Sequence, residues 1–247
     1  MTELDPQHDR LPSLYPALAT AAAIAHALAS SIVDARQIQM TASTAIVPFR
    51  TRLLLVLSLT IVNSILYLCS NAWPLRQPVR LPLNAIDVAL GWHAWTIWPY
   101  WLLLLLGPAM ALCLRERRVL IATARAYALA LAANFTIWSI WPTRDSASRL
   151  LPDDLDPLTD TAWRLLYALD GPNNCFPSGH VTIPLVIAAG FCAQYPRARY
   201  WVWPLLLALL PSVVTTGQHY SWDVLGGAAT AAVGLLVAGR QLRRKAS

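Results

Sequence analysis

The stretch that decides the fold is LLLVLSLTIVNSILYLCSNA, residues 53–72, which contains no charged side chain. A helix of this length extends about 30 Å, which matches the hydrocarbon core of a bilayer. Five further stretches are apolar over a similar length: Trp95–Leu114, Val119–Trp141, His180–Tyr195, Trp201–Gln218 and Trp222–Gly239. The sequence therefore predicts an all-α, polytopic membrane protein built as a bundle of six transmembrane helices.

The composition supports this fold class, and the apolar runs define the predicted domains. Hydrophobic residues make up 56% of the 247 residues and charged residues 13%, whereas a soluble domain has about 45–50% and about 25%. We assign residues 1–50 to a cytoplasmic segment, residues 51–240 to the membrane domain and residues 241–247 to a basic cytoplasmic tail. The apolar stretch Ala17–Val33 is interpreted as an interfacial helix, with a seventh span as the alternative.

The distribution of Arg and Lys predicts the orientation in the membrane. With six spans, the N-terminal segment, two loops and the tail share one side, which carries thirteen of these residues against five on the other side. Because basic loops stay in the cytoplasm, both termini are predicted to be cytoplasmic. We expect an integral protein of the cell (inner) membrane, and the net charge of +6 requires no nucleic-acid partner.

The first motif with chemical content is NCFPSGH, residues 174–180, directly before an apolar run. Ser178 is a residue type favoured at a helix N-cap, and Gly179 lets a ligand approach the backbone closely. The first amides of the following helix have no partner within the helix and carry the positive end of its dipole, which suits a phosphate group. His180 belongs to that first turn, where it can donate a proton to a leaving oxygen.

The second motif is QHYSWD, residues 218–223, before the last apolar run. His219 and Asp223 are four residues apart, so a helix places them on one face. The carboxylate can then hold one ring nitrogen and leave the other free to attack an electrophile. Both motifs open onto the periplasmic or extracytoplasmic side of the predicted bundle. Ionisable groups beside a hydrocarbon core are functional by default, so we treat the two motifs as one site.

Together the two motifs resemble the type 2 phosphatidic acid phosphatase superfamily. The matching residues are FPSGH at 176–180 and HYSWDVLGG at 219–227, in this order. The resemblance implies a six-helix membrane enzyme that acts on a lipid or polyprenyl phosphate. It also implies His219 as the nucleophile that forms a phosphohistidine, Asp223 as the residue that orients it, and His180 as the general acid for the leaving group.

The phosphate-binding residues follow this family only in part. By the resemblance, Ser178 and the amides near Gly179 hold phosphate oxygens. Typical members also have an arginine shortly before the second histidine, and here that position is Val213. The lysine and the Arg-Pro pair of an earlier family motif are absent as well. Arg144 and Arg149 are therefore the candidate substitutes, with Arg149 favoured.

Two further patterns leave the reaction open between hydrolysis and transfer. The stretches DGPNNCFPS, residues 170–178, and GQHY, residues 217–220, look more like the branch that contains inositol phosphorylceramide synthase. That branch moves phosphoryl-alcohol groups between lipids. A lipid phosphotransferase is therefore the alternative to a lipid phosphatase, and the sequence does not identify the lipid.

Three other classes of protein fit the sequence less well. A rhomboid-like intramembrane protease also has six spans, but its Gly-x-Ser-Gly motif is absent. A metal site formed by His180, His219 and Asp223 has a reasonable ligand set but no spacing typical of zinc hydrolases. A transporter would carry its ionisable groups near the middle of the membrane, whereas these lie at one surface. The predicted partners are a lipid phosphate and the membrane, with no metal, other cofactor or nucleic acid.

Overall fold

The computed structural model describes residues 45–145 and 149–244. Most of the predicted cytoplasmic segment, including Ala17–Val33, and the last residues of the basic tail lie outside the described residues. The described chain is mostly helical, as the apolar runs predict. It contains these α-helices: α1 Phe49–Ala72, α2 Ala85–Leu90, α3 Ile97–Leu112, α4 Arg117–Ile140, α5 Pro157–Leu169, α6 Gly179–Gln194, α7 Arg199–Leu209, α8 Ser212–Thr215 and α9 Ser221–Arg244.

Within the described ranges, five helical segments are long and apolar enough to cross a membrane: Phe49–Ala72, Ala94–Leu112, Arg117–Ile140, Pro196–Thr215 and Ser221–Gly239. The predicted span His180–Tyr195 is the apolar helix α6, whose 16 residues fall short of the roughly 20 in a full span. The helix starts after Pro177. It ends just before Pro196, because proline disfavours helical backbone in the residue before it. The described residues thus contain five candidate spans and one shorter apolar helix, not six full spans.

Apolar side chains cover the outside of the bundle. Leu54 and Ile61 on α1 and Leu105 on α3 are each more than half exposed. A soluble protein rarely exposes such a continuous apolar surface. The surface is instead suited to contact with lipid chains, which agrees with the apolar character of the five candidate spans.

Helices α4, α6 and α9 pack together at the centre, and small residues let them approach closely. A Cβ atom at Gly227 would lie 2.5 Å from the carbonyl oxygen of Ser178, and one at Gly234 would lie 2.5 Å from that of Ala126. Small residues serve in this way between many membrane helices. The close contact at Gly227 brings the start of α6 against the start of α9, where the two histidine motifs lie.

Hydrogen bonds join the loops at this end of the bundle. The short strands β1 (Val79–Arg80) and β2 (Thr143–Arg144) pair in parallel. Thr143 of β2 also contacts the loop before α6, because its Oγ1 accepts a hydrogen bond from the backbone N–H of Phe176 at 2.7 Å. At the end of α1, Asn71 and Asn173 each donate from the side chain to the other's carbonyl, at 2.8 Å. The loop before α6 is therefore fixed from two sides.

Candidate active site

The loop before α6 sets the position of His180. Asn174 is fully buried, with φ of +61°, and its amide donates to Ser70 Oγ at 2.8 Å and to the Tyr67 carbonyl at 3.1 Å. Trp138 on α4 donates from its ring nitrogen to the Pro177 carbonyl at 3.1 Å. These contacts attach the loop to α1 and α4, so the first turn of α6 has a defined position.

Asp223 fixes the start of α9 and links the two motifs. Its Oδ2 accepts from the backbone N–H of Tyr220 at 2.8 Å, and its backbone carbonyl accepts from the N–H of Ser178 at 3.0 Å. A second carboxylate supports the same helix start, because Asp87 Oδ1 accepts from the N–H of Ser221 at 2.7 Å. Amides at a helix N-terminus need such partners, and here they also hold the two motifs together.

The two predicted histidines come together in the fold. Nδ1 of His180 lies 3.1 Å from Nε2 of His219, although 39 residues separate them along the chain. His219 is buried, and the side chain of His180 is 21% exposed. Two neighbouring imidazoles can act on the two ends of one bond once the rings separate to admit it, one as nucleophile and the other as acid.

The second ring nitrogen of His219 has two acceptors. Nδ1 lies 2.9 Å from the Cys175 carbonyl and 3.4 Å from Asp223 Oδ2. Because a carbonyl can only accept, Nδ1 carries the hydrogen and Nε2 directs its lone pair toward His180. Burial opposes the charged ring, but Asp223, the charge of Asp170 and the Cys175 carbonyl together outweigh it, and the pKa of His219 is raised above its ordinary value. The predicted pair of His219 and Asp223 is present; the Cys175 carbonyl was not predicted.

Ser178 occupies the N-cap position of α6, as predicted, but its hydroxyl makes no capping hydrogen bond. The side chain is fully buried, and Oγ has no hydrogen-bond partner among the residues that the structure describes. Gly179 faces Trp138, since a Cβ atom there would lie 3.4 Å from the ring. A buried, unpaired hydroxyl at a helix N-terminus is available to an anion oxygen. Phosphate binding by Ser178 and Gly179 stays a prediction.

The two candidate arginines lie between α4 and α5, Arg144 in β2 and Arg149 after it. Arg149 donates to Asp145 Oδ2 at 3.0 Å and to the Asp170 carbonyl, and its guanidinium lies 5.2 Å from the centre of the Tyr167 ring. Burial raises the pKa of Asp145, and the Arg149 hydrogen bond offsets part of that rise. Arg144 belongs to β2, and its Nε is buried without a partner. A contact of either arginine with phosphate stays a prediction.

Sequence reasoning missed a buried carboxylate beside His180. Asp170, considered in the sequence only as the first residue of the stretch DGPNNCFPS, is 6% exposed. It accepts hydrogen bonds from the hydroxyls of Tyr67 and Tyr100, and its Oδ2 lies 3.9 Å from His180 Nε2. The Tyr100 hydroxyl also lies 3.1 Å from His180 Nδ1. The available signal was the two phenols at the outer ends of otherwise apolar runs, since a polar group there needs a partner.

Three side chains offer an alternative metal-ligand set that overlaps the histidine pair. Cys175, His219 and Asp223 are buried, and one ligand atom of each lies within 4.8 Å of the others. The Cys175 thiol donates to the Pro172 carbonyl, and burial raises its pKa. Since the thiolate is the form that binds metals, this environment disfavours Cys175 as a ligand.

Comparison with known proteins agrees with the histidine geometry. The model of the PAP2 superfamily matches residues 123–246. The match covers half of the chain, from α4 through α9, and includes both histidine motifs. No curated protein and no solved structure matches the chain. The match is to the superfamily as a whole, and the relation to the phosphorylceramide-synthase branch stays a prediction. The chain belongs to the PAP2 superfamily.

Proposed function

We propose that this protein is an integral-membrane lipid phosphatase that hydrolyses a lipid or polyprenyl phosphate through a phosphohistidine intermediate. The observation that carries the proposal is the 3.1 Å approach of His180 Nδ1 to His219 Nε2, with Asp223 behind His219. Superfamily membership supports it, because PAP2 proteins are typically phosphatases or phosphotransferases.

In the first step, the lone pair of His219 Nε2 attacks phosphorus and forms an N–P bond. The bond from phosphorus to the leaving oxygen breaks, and His180 Nδ1 gives its proton to that oxygen. Asp223 Oδ2 and the Cys175 carbonyl face the Nδ1–H of His219. They stabilise the positive charge that develops on the ring as it becomes phosphorylated.

In the second step, water attacks the phosphohistidine. His180, now neutral, takes a proton from the water as the new O–P bond forms and the N–P bond breaks. Phosphate is released, and both histidines return to their starting states. An alcohol in place of water would give transfer, so the phosphotransferase alternative uses the same residues and differs only in the acceptor.

A small apolar cavity opens among the helices and is compatible with part of a hydrocarbon chain. Residues of α1, α3, α4 and α6 line it, among them Ile183 and Ile187. These two residues follow His180 at helical spacing and so share its face of α6.

Several donors are proposed to hold the phosphate. Val213, at the family's arginine position, is fully buried and apolar, so positive charge has to come from elsewhere. We assign Ser178 Oγ, the first amides of α6 and either Arg149 or Arg144 to the phosphate oxygens. The asymmetry of basic residues supports a site on the periplasmic or extracytoplasmic side, cytoplasmic termini and α6 as a sixth, short span.

The direct test is phosphate release from a panel of lipid and polyprenyl phosphates by purified protein, with and without alcohol acceptors. We expect release by the wild-type protein and none by His219→Ala. His93→Ala is the matched control, because His93 is an exposed histidine in the loop before α3; it should keep wild-type activity. New lipid formed only with an alcohol acceptor would instead assign a phosphotransferase.

Two outcomes would overturn the mechanism. Full activity in folded His219→Ala would exclude this residue as the nucleophile. Loss of activity with a chelator, reversed by zinc, would favour the metal site at Cys175, His219 and Asp223 over the phosphohistidine.

A further inference from the structure

The carboxylate of Asp170 is buried although the residue belongs to the outer loop. One oxygen accepts from the Tyr67 hydroxyl on α1, and the other accepts from the Tyr100 hydroxyl on α3 at 3.3 Å. Arg149 holds the backbone carbonyl of the same residue. Three separate parts of the fold thus converge on one acidic group, so its position beside the histidine pair is well defined.

His180 lies between this carboxylate and His219. Its Nδ1 faces His219 Nε2 at 3.1 Å and the Tyr100 hydroxyl at 3.1 Å. Its Nε2 is the nitrogen nearer to Asp170, with 3.9 Å to Oδ2. At 3.9 Å the two groups are within ion-pair distance and beyond hydrogen-bond distance.

A substrate requires the two rings to separate. Attack on phosphorus starts from about 3–3.5 Å, and proton transfer to the leaving oxygen needs about 2.6–3.2 Å. Because the P–O bond also lies between the two ring nitrogens, they have to be roughly 7 Å apart. At 3.1 Å, the observed pair leaves no room for phosphorus. A shift of the His180 ring by about 1 Å away from His219 would be enough to bring Nε2 within hydrogen-bond distance of the carboxylate.

We propose that Asp170 is the positioning residue of the general acid His180, an inference that rests on the proposed function. With substrate bound, Nε2–H of His180 donates to Asp170 and Nδ1–H points at the leaving oxygen. As the P–O bond breaks, that proton passes to the oxygen and the ring becomes neutral. When water attacks the phosphohistidine, Nδ1 takes up one proton from it, and Asp170 again faces an imidazolium.

The site then consists of two carboxylate–histidine pairs on opposite sides of the phosphate. Asp223 supports His219, which has to supply a lone pair, and Asp170 supports His180, which has to supply a proton. A carboxylate near an imidazole favours its protonated form. That is the form a general acid needs, whereas a purely structural link between α1, α3 and the loop would need no negative charge.

The test uses two phosphate esters that differ in their need for an acid. An alkyl phosphate has a poor leaving group, which must be protonated as it departs, whereas 4-nitrophenyl phosphate releases a stable anion. General-acid catalysis contributes about 10²–10⁴-fold, so loss of its positioning residue should cost part of that. We expect Asp170→Asn to lower kcat/KM about 10- to 100-fold on the alkyl ester and to leave the nitrophenyl ester nearly unchanged. Asp170→Glu should restore part of the loss.

Asp145→Asn is the matched control, since Asp145 is a buried carboxylate of the same loop that pairs with Arg149. Any structural effect of this variant should change both esters by the same factor. If Asp170→Asn does not fold, Tyr100→Phe is the second variant, because it removes the hydroxyl shared by His180 and Asp170. It should also lower kcat/KM on the alkyl ester more than on the nitrophenyl ester, but by a smaller factor than Asp170→Asn.

The outcomes separate this inference from the proposed function. Suppose that the wild-type protein releases phosphate from both esters and that Asp170→Asn lowers kcat/KM equally for both. This result would overturn the role of Asp170 and leave the proposed function intact. Unchanged kinetics on both esters in that variant would do the same. Failure of the wild-type protein to release phosphate from either ester would overturn the proposed function, and the inference with it.

Discussion

Replacing Asp223 by Asn separates the charge of this residue from its hydrogen bonds. Asparagine has the same shape, and its carbonyl oxygen can still accept from the Tyr220 N–H, which lies 2.8 Å from Oδ2 in the native site. The Nδ1–H of His219 also keeps the Cys175 carbonyl at 2.9 Å. The variant should therefore lose the negative charge while His219 keeps its tautomer.

The size of the effect follows from the distance between the charge and the ring. Two unit charges 3.4 Å apart interact by about 5 kcal/mol at an effective dielectric constant of about 20. Only part is lost, because the ring is partly charged in the transition state and the amide dipole replaces some of the attraction. A loss of about half, about 2.5 kcal/mol, lowers the rate roughly 70-fold. The loss of about 10⁴-fold that follows when an Asp→Asn change selects the wrong tautomer is not expected.

The assay is kcat/KM for phosphate release in detergent micelles, with the melting temperature measured on the same samples. Asp87→Asn is the matched control, because Asp87 is a buried carboxylate that accepts from Ser221 at the same helix start. It should lower the melting temperature and leave kcat/KM of the folded protein nearly unchanged. Wild-type kcat/KM in Asp223→Asn would refute the electrostatic role. A loss as large as that of His219→Ala would refute the retained tautomer.

Three further predictions concern the phosphate and the pH profile. Ser178→Ala removes a buried, unpaired hydroxyl and should raise KM for the phosphate ester roughly fivefold, equivalent to about 1 kcal/mol, in steady-state kinetics. A guanidinium contact with phosphate contributes about 1.5–3 kcal/mol, so Arg149→Ala or Arg144→Ala should lower kcat/KM about tenfold to a hundredfold; wild-type efficiency in the double variant would contradict this assignment. His219 attacks through an unprotonated Nε2, and its pKa is raised because Asp223, Asp170 and the Cys175 carbonyl together outweigh burial. The acid limb of kcat/KM should therefore lie above about pH 6.5, and Asp223→Asn should move it to lower pH; an unmoved limb would show that another group titrates.

The parts of the fold that depend on local composition could be predicted from the sequence. Five apolar runs form helical segments of spanning length because backbone groups in a bilayer must be paired within the segment, although the fourth of these segments is divided into α7 and α8. The sixth run, His180–Tyr195, is short already in the sequence, and α6 is likewise 16 residues long. The pair of His219 and Asp223 was also predictable, because four residues on a helix fix their separation.

The rest of the site depends on contacts that leave little trace in the sequence. A backbone carbonyl, such as that of Cys175 beside His219, has no residue-type signature. Asp170 is buried because Asn174 and Asn173 attach the loop to α1, residues about a hundred positions earlier in the chain. The turn residues predicted a loop, but its path, and with it the burial of Asp170, is set by these long-range hydrogen bonds.

The measurement that tests the central claim most directly is trapping of the phosphoenzyme. Purified protein is mixed with a ³²P-labelled lipid phosphate, quenched rapidly under alkaline conditions that preserve phosphohistidine, and digested for mass spectrometry. The account predicts label on His219 in the wild-type protein and in His93→Ala, and none in His219→Ala. Label on Ser178 or on His180, or turnover by His219→Ala, would contradict it.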